Sequence, residues 1–202
     1  MFPLGSVLMP AMPLPLRVFE PRYLQMLDVV LERETLDFGV VLIERGSEVG
    51  GGDTRFGLGT MARVEQVETG DGLAALVARG SDRFTVDSWL PDDPWPRASV
   101  TELEPLVWDE SHRTLLESTE RTVRQCLARA SEFVETLWDP TVELSTDPVD
   151  RAWQVAGIAP IGSMDQVDLL ASTSVEQLLT TCEQHTRDAV ETLTMQIGDP
   201  EE

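Results

Sequence analysis

The hydrophobic period of this 202-residue chain changes once, near Pro105, and that change constrains the fold more than any other feature. Before it, short apolar or alternating runs recur at Ser6–Met9, Leu14–Phe19, Phe38–Ile43, Gly59–Val67, Leu73–Ala78, Phe84–Leu90 and Ala98–Leu103. Runs of this length and alternation predict strands, and Gly70-Asp71-Gly72 between two of them is a hairpin signal. One helix interrupts the series, from about Pro21 to Glu34. Pro21 suits a first helical turn, where its missing N–H costs nothing, and Tyr23, Leu24, Leu27, Val30 and Leu31 share a face. After Pro105 the period is helical. Leu116, Val123, Leu127, Ala130, Val134 and Leu137 predict a helix within Asp109–Trp138, followed by a loop over about Asp139–Pro148. Further helices are expected near Val149–Ala156, Met164–Ala171 and Val175–Ile197, two of them with the capping signatures Ser163-x-x-Gln166 and Ser174-x-x-Gln177. In the last, Val175, Leu178, Cys182, Ala189, Leu193 and Ile197 form the apolar stripe. The chain is therefore α+β, with a β-rich part at 1–105 and a helical part at 106–202.

Charge narrows the partners. The net charge is −21, and both parts are acidic: 17 acids against 9 arginines before Leu106, 19 against 6 after it. A phosphate backbone is repelled by both, so no nucleic acid is expected as a partner. All fifteen basic residues are arginine. Without lysine there can be no Walker A lysine, no Schiff base and no Ser-Lys dyad. The uncharged first sixteen residues lack a basic n-region and a cleavage pattern, and Pro3, Pro10, Pro13 and Pro15 interrupt them. No apolar run approaches the eighteen residues a membrane span needs, so no membrane association is expected. Cys126 and Cys182 sit in helical segments without metal spacing and read as thiols in a reducing cytoplasm.

Each candidate for chemistry has a plainer reading. Cys182-x-x-His185 supplies half of a zinc site and no second pair exists, so a core thiol beside a surface histidine is expected. Gly57-x-Gly59-x-x-Ala62 matches a dinucleotide fingerprint, but Arg63–Val67 alternates like a strand where the fingerprint demands a helix. The Gly46–Gly52 stretch lacks the lysine of a phosphate loop and reads as a hairpin or surface loop. Asp92-Asp93 and Asp109-Glu110 read as solvated charge rather than a cation site. No G-x-S-x-G occurs. No catalytic residue, cofactor or metal is expected.

The junction Phe19-Glu20-Pro21-Arg22-Tyr23 places two charges and an aromatic where strand turns into helix. A catalytic cluster and a structural corner both fit those residues. The longer stretch "FPLGSVLMPAMPLPLRVFEPRY" (Phe2–Tyr23) resembles the start of the Lon protease N-terminal substrate-binding domain. That family opens with a Phe-Pro-Leu turn, a "VLFP"-like strand and "LPL.IFEPRY" running into a helix. Further matches follow in order: Phe38–Ile43, Gly59-Thr60-x-Ala62, Gly80-x-x-Arg83-Phe84-x-Val86 and Asp93-Pro94-Trp95-Pro96-x-Ala98. "DLLASTSVEQLL" (Asp168–Leu179) echoes the family's last helices.

The resemblance implies a PUA-like β pseudo-barrel with one inserted helix, followed by a C-terminal helical bundle. It also implies that Glu20, Arg22 and Tyr23 are architectural. Ala11 and Met12 stand where the family usually has the glycine of an "FPG" turn. The full protease continues into ATPase and Ser-Lys catalytic domains, whereas this chain ends at Glu202 without a lysine, so a stand-alone copy is expected. The function implied is a non-catalytic module that binds unfolded or tagged polypeptides or a protein partner, such as an adaptor. The alternative is a small-molecule-binding or hydrolytic protein using the cleft between the subdomains. PUA-type RNA binding follows from fold analogy alone and is opposed by the charge. Trp89 and Trp95, beside prolines in "WLPDDPWPRA", are the candidate partner-binding anchors.

Overall fold

A computed structural model describes residues 1–46, 48, 52–70 and 72–198, the last three by backbone alone. They divide into two compact units, Met1–Pro105 and Leu106–Glu202.

The first unit is a six-stranded sheet with one helix. Its strands are β1 (Phe2–Leu4), β2 (Pro13–Val18), β3 (Asp37–Arg45), β4 (Thr54–Gly70), β5 (Leu73–Leu90) and β6 (Arg97–Glu102), with α1 (Pro21–Leu31) between β2 and β3. The order is β1-β3-β4-β5-β2, and β6 also pairs with β5. β3 carries an unbroken buried run, Phe38–Leu42, because it lies inside the sheet between β1 and β4. Gly70 pairs with Leu73 across the β4–β5 hairpin, whose Asp71 lies outside the described residues, as do residues 47 and 49–51 of the expected Gly46–Gly52 loop.

Three expectations change here. The first strand is Phe2–Leu4, parallel to Val40–Leu42, and Ser6–Met9 is irregular. Leu8 and Met9 are nevertheless buried, and the Thr60 hydroxyl donates to the Leu8 carbonyl at 2.6 Å. Second, Leu73–Ala78 and Phe84–Leu90 belong to one strand. Gly80 does not break it; a Cβ at Gly80 would collide with the Met9 carbonyl, so glycine is what lets the Met9–Met12 turn lie flat on β5. Two hydrogen bonds fix that turn, Ala11 N–H to Gly80 O at 2.8 Å and Gly80 N–H to Met12 O at 2.9 Å. β5 is paired by β2 before this point and by β6 after it. Third, α1 ends at Leu31, and its buried face is Tyr23, Met26, Leu27 and Val30.

The second unit contains a short 3-10 turn (Glu110–His112), α2 (Arg113–Ala130), α3 (Pro148–Ile158), α4 (Ser163–Leu170) and α5 (Val175–Gly198). Leu116, Val123, Leu127 and Ala130 are buried as their spacing predicts, but α2 stops there and Val134 and Leu137 are exposed. Arg124 is the reason. Its guanidinium donates to the carbonyls of Pro140 and Val142, so the chain must leave the helix after Ala130 and return beside it. Glu120, largely buried, accepts from Arg124 at 2.9 Å and from Arg151 of α3 at 2.8 Å. Of the two capping signatures one forms in part. The Gln177 N–H donates to the Ser174 hydroxyl at 3.1 Å, while the Gln177 side chain accepts from Thr173. At α4 the cap is Gly162, with no side-chain bond. On α5 the Ile197 side chain lies outside the described residues. Among the described residues no helix is long and apolar enough to cross a membrane.

Candidate functional site

α1 begins where Pro21 takes the first helical position and the Glu20 carbonyl accepts from the N–H groups of Tyr23 and Leu24, both at 3.0 Å. That start sets the helix phase. Met26 and Val30 turn inward, while Val29 remains exposed on the adjoining strip. Facing Val29 are Leu90 at the end of β5, Trp95 in the turn that follows, and Ala98 and Val100 of β6. Between them runs a groove of about 530 Å³, floored by Gly39 and Met61. Val29 is 37% exposed and Leu90 45%, whereas Trp95 is half-buried. Gly39 keeps the floor low, since a Cβ there would collide with the Met1 thioether.

Trp89 lies elsewhere. It does not line the groove, although Ala98, its cross-strand partner on β6, does. The Arg55 guanidinium sits over the Trp89 ring, 4.9 Å from its centroid. Arg55 is gripped by Asp53, with Nε close to Oδ2 and Nη2 3.2 Å from Oδ1, and lies 3.7 Å from Asp92. Burial acts to raise the Asp53 pKa, but the hydrogen bond from Arg55, a backbone hydrogen bond and the charges of Arg55 and Arg22 together outweigh it and hold the carboxyl below its ordinary value. Arg22 also acts on Asp53, so the corner and the Trp89 cluster share one field.

At the corner, Arg22 Nε donates to Glu20 Oε2 at 3.1 Å, and its guanidinium lies 4.5 Å from the centroid of Tyr23. The Tyr23 ring stacks on Phe2 with centroids 4.3 Å apart. Tyr23 is buried and burial pushes its phenol up to about 12, so it is no acid or base at neutral pH. Phe19 projects outward, 59% exposed. The two charges are turned on each other.

The other motifs disperse. Cys182 is buried in the helical core, its thiol pushed up to about 12 by burial. His185 turns instead to Asp168 at 2.9 Å and Asp165 at 3.7 Å on α4. Gly57–Ala62 lies within β4, and a Cβ at Gly59 would collide with the Val40 carbonyl and the Phe84 ring; close packing explains this glycine. Asp92 faces Arg55 while Asp93 faces Arg97. Asp109 caps the 3-10 turn, and Glu110 pairs with Arg113. Among the described residues no group of three or more His, Cys, Asp or Glu could hold a metal ion.

Val29, Leu90, Asp53 and Arg55 were not singled out from sequence. Period two along Thr54–Gly70 extends to Asp53 and Arg55, which share a side, but nothing local shows that Trp89 would meet them. The groove needs α1 and β6, which are distant in sequence, to come together.

A family model described as the ATP-dependent protease La (LON) substrate-binding domain matches residues 1–187. The crystal structure of a Lon N-terminal domain protein from Xanthomonas campestris is 27% identical, with a TM-score of 0.63, over 89% of this chain and 95% of that one. The N-terminal domain of Mycobacterium avium complex Lon protease is 18% identical, with a TM-score of 0.61, over 92% and 97%. The second likeness is one of fold alone. No curated protein matches the chain.

Proposed function

The chain belongs to the ATP-dependent protease La (LON) substrate-binding domain family, and from that premise we propose that it is a non-catalytic module binding polypeptide through the groove of residues 1–105. The observation that carries this reading is the apolar rim. Val29 and Leu90 are both large, exposed and set on one groove with Trp95. Exposed apolar side chains scattered singly mean little, but converging on one concave surface they mark a contact site. With a net charge of −21, long-range attraction of acidic chains is ruled out, so affinity comes from apolar contact at short range.

Finer readings accompany this one. Glu20, Arg22 and Tyr23 tie α1 to β1 through the Phe2 stack and act as architecture. The six strands form the PUA-like pseudo-barrel and α2–α5 the helical bundle, supported by the way β5 serves β4, β2 and β6 at once. Two free thiols, Cys126 and Cys182, support a reducing, cytoplasmic location. An adaptor or client-delivery role fits a groove whose lining, among the described residues, holds no Ser, Thr, Cys or Lys.

The test is anisotropy with a dye-labelled, permanently unfolded polypeptide, made by reducing and alkylating a disulfide protein. The wild-type chain binds it. Leu90→Asp and Val29→Asp, both at exposed positions, weaken binding by roughly tenfold or more without loss of the folded circular-dichroism signal. Wild-type binding that both variants retain would remove the groove from the reading. The purified chain is expected to hydrolyse neither ATP nor casein. Activity that copurifies and disappears on a point substitution would make it an enzyme.

A further inference from the structure

We propose that a segment taken by the groove enters as an added β-strand on the free edge of β6, and that the segment is apolar with an acidic residue at its end. This rests on the polypeptide-binding reading above and specifies how the chain is held.

Among the described residues three strands, β1, β2 and β6, pair with a single neighbour over their whole length, and they are not equivalent. β1 has three residues and includes Pro3. β2 carries Pro13 and Pro15, which lack N–H groups, at alternate positions. Proline on an edge is a device against strand addition. β6, Arg97–Glu102, is six residues long without proline, and β5 is its strand partner. Among the described residues, no backbone bond outside regular pairing reaches the other edge of Arg97–Glu102; just before it, the Pro96 carbonyl accepts from the Met1 amine at 2.8 Å. Every second residue on that edge therefore presents an N–H and a C=O for a further strand.

The edge also borders the groove. Ala98 and Val100, two residues apart on one face of β6, form part of its wall, and Val29 and Leu90 line the same groove. A strand added to β6 continues this face, and its own alternate side chains fall beside the apolar rim. Main-chain bonds then supply sequence-tolerant affinity, and the groove selects apolar side chains.

Local charge sets the flank. Arg33 is exposed at the groove and is in no ion pair among the described residues, and Arg97, which donates to the Pro91 carbonyl at 3.4 and 3.5 Å, has the exposed Asp93 as its ion-pair partner, 3.5 Å away. Asp37, the groove's own carboxylate, is already held by Arg63 through bonds of 3.0 and 3.2 Å. On a chain of net charge −21 this is a locally cationic rim. It complements a carboxylate at the end of an otherwise uncharged segment.

The experiment uses a dye-labelled peptide of alternating valine and threonine ending in aspartate, titrated with the intact chain. Two further versions carry N-methyl groups on one or the other set of alternate residues. An added strand uses only one set of N–H groups toward β6, so one version loses roughly tenfold or more in affinity and the other stays within about twofold of the parent. Replacing the terminal aspartate by lysine weakens binding to the wild type, and Arg33→Ala removes that difference. If both methylated versions behave alike, strand addition is overturned. If lysine and aspartate peptides bind equally to the wild type, the acidic flank is overturned. Edge-to-edge self-association that the peptide does not displace assigns the edge to a second copy and also overturns the proposal. Binding of the long unfolded polypeptide without any binding of the peptide rejects this mode and keeps the polypeptide-binding reading. Binding of neither rejects both.

Discussion

Ala11 has φ of +61°, the left-handed region where an L side chain crowds its own carbonyl. The turn holds it there because its N–H is bonded to Gly80 and its carbonyl accepts from Arg79 at 2.9 Å. Ala11→Gly relieves the crowding, and part of the gain is offset by the greater freedom of an unfolded glycine. The expected outcome is a net stabilisation of about 0.5–1 kcal/mol, read as a higher urea midpoint at unchanged slope. A lower midpoint would show that the alanine methyl, which is buried, matters more for packing. At the corner, Glu20→Ala and Arg22→Ala each remove a charge-assisted bond between partly buried groups. Arg22→Ala also strips the guanidinium from Tyr23. Each variant is expected to lose about 1–3 kcal/mol in denaturant melts while peptide affinity holds. Full stability with lost binding would make these residues part of the binding surface.

At the scale of elements, α5 is anchored by residues that never reach solvent, among them Leu178, Leu179 and Cys182. Burial pushes the Cys182 thiol from 9 up to about 12. A raised value means the native state keeps a proton that the unfolded chain has already released. Stability is therefore intact below the unfolded value and falls as pH rises from about 9 towards 12, by at most ~1.4 kcal/mol per pH unit from this one group. Urea midpoints at pH 7, 9 and 10.5 should fall more steeply for the wild type than for Cys182→Ala. Parallel slopes would mean the thiol is open to water. Element boundaries show the limits of local reading. The spacing through Leu137 is helical, yet Arg124 draws Pro140 and Val142 back and ends α2 at Ala130. Gly80 looks like a break in the sequence but permits a close contact within a continuous β5.

Across the whole molecule, net charge acts on every part of the fold. Thirty-six acids against fifteen arginines repel one another in the compact state more than in the expanded one, and salt screens that repulsion over about 8–10 Å at moderate ionic strength. Adding sodium chloride from 0.05 to 0.5 M is expected to raise Tm, despite weakening the exposed ion pairs; a fall would mean that those pairs outweigh the net charge. What the sequence determined by itself was periodic or compositional: the change from strands to helices near Pro105, part of the buried faces of α1 (Tyr23, Leu27 and Val30) and α5 (Val175, Leu178 and Cys182), the exclusion of lysine chemistry and the strongly negative charge. The N-terminal motif, read as a resemblance, added the family. These signals are local or summed over the chain, so no contact map is needed to read them. The tertiary structure alone decided that Leu90 rather than Trp89 shares a groove with Trp95, that Asp53 and Arg55 are bound up with Trp89, and that β6 keeps an open edge beside Val29. Each of these depends on which of several possible neighbours a strand or helix packs against, and that choice is made by the sheet order, in which residues some sixty to seventy positions apart meet.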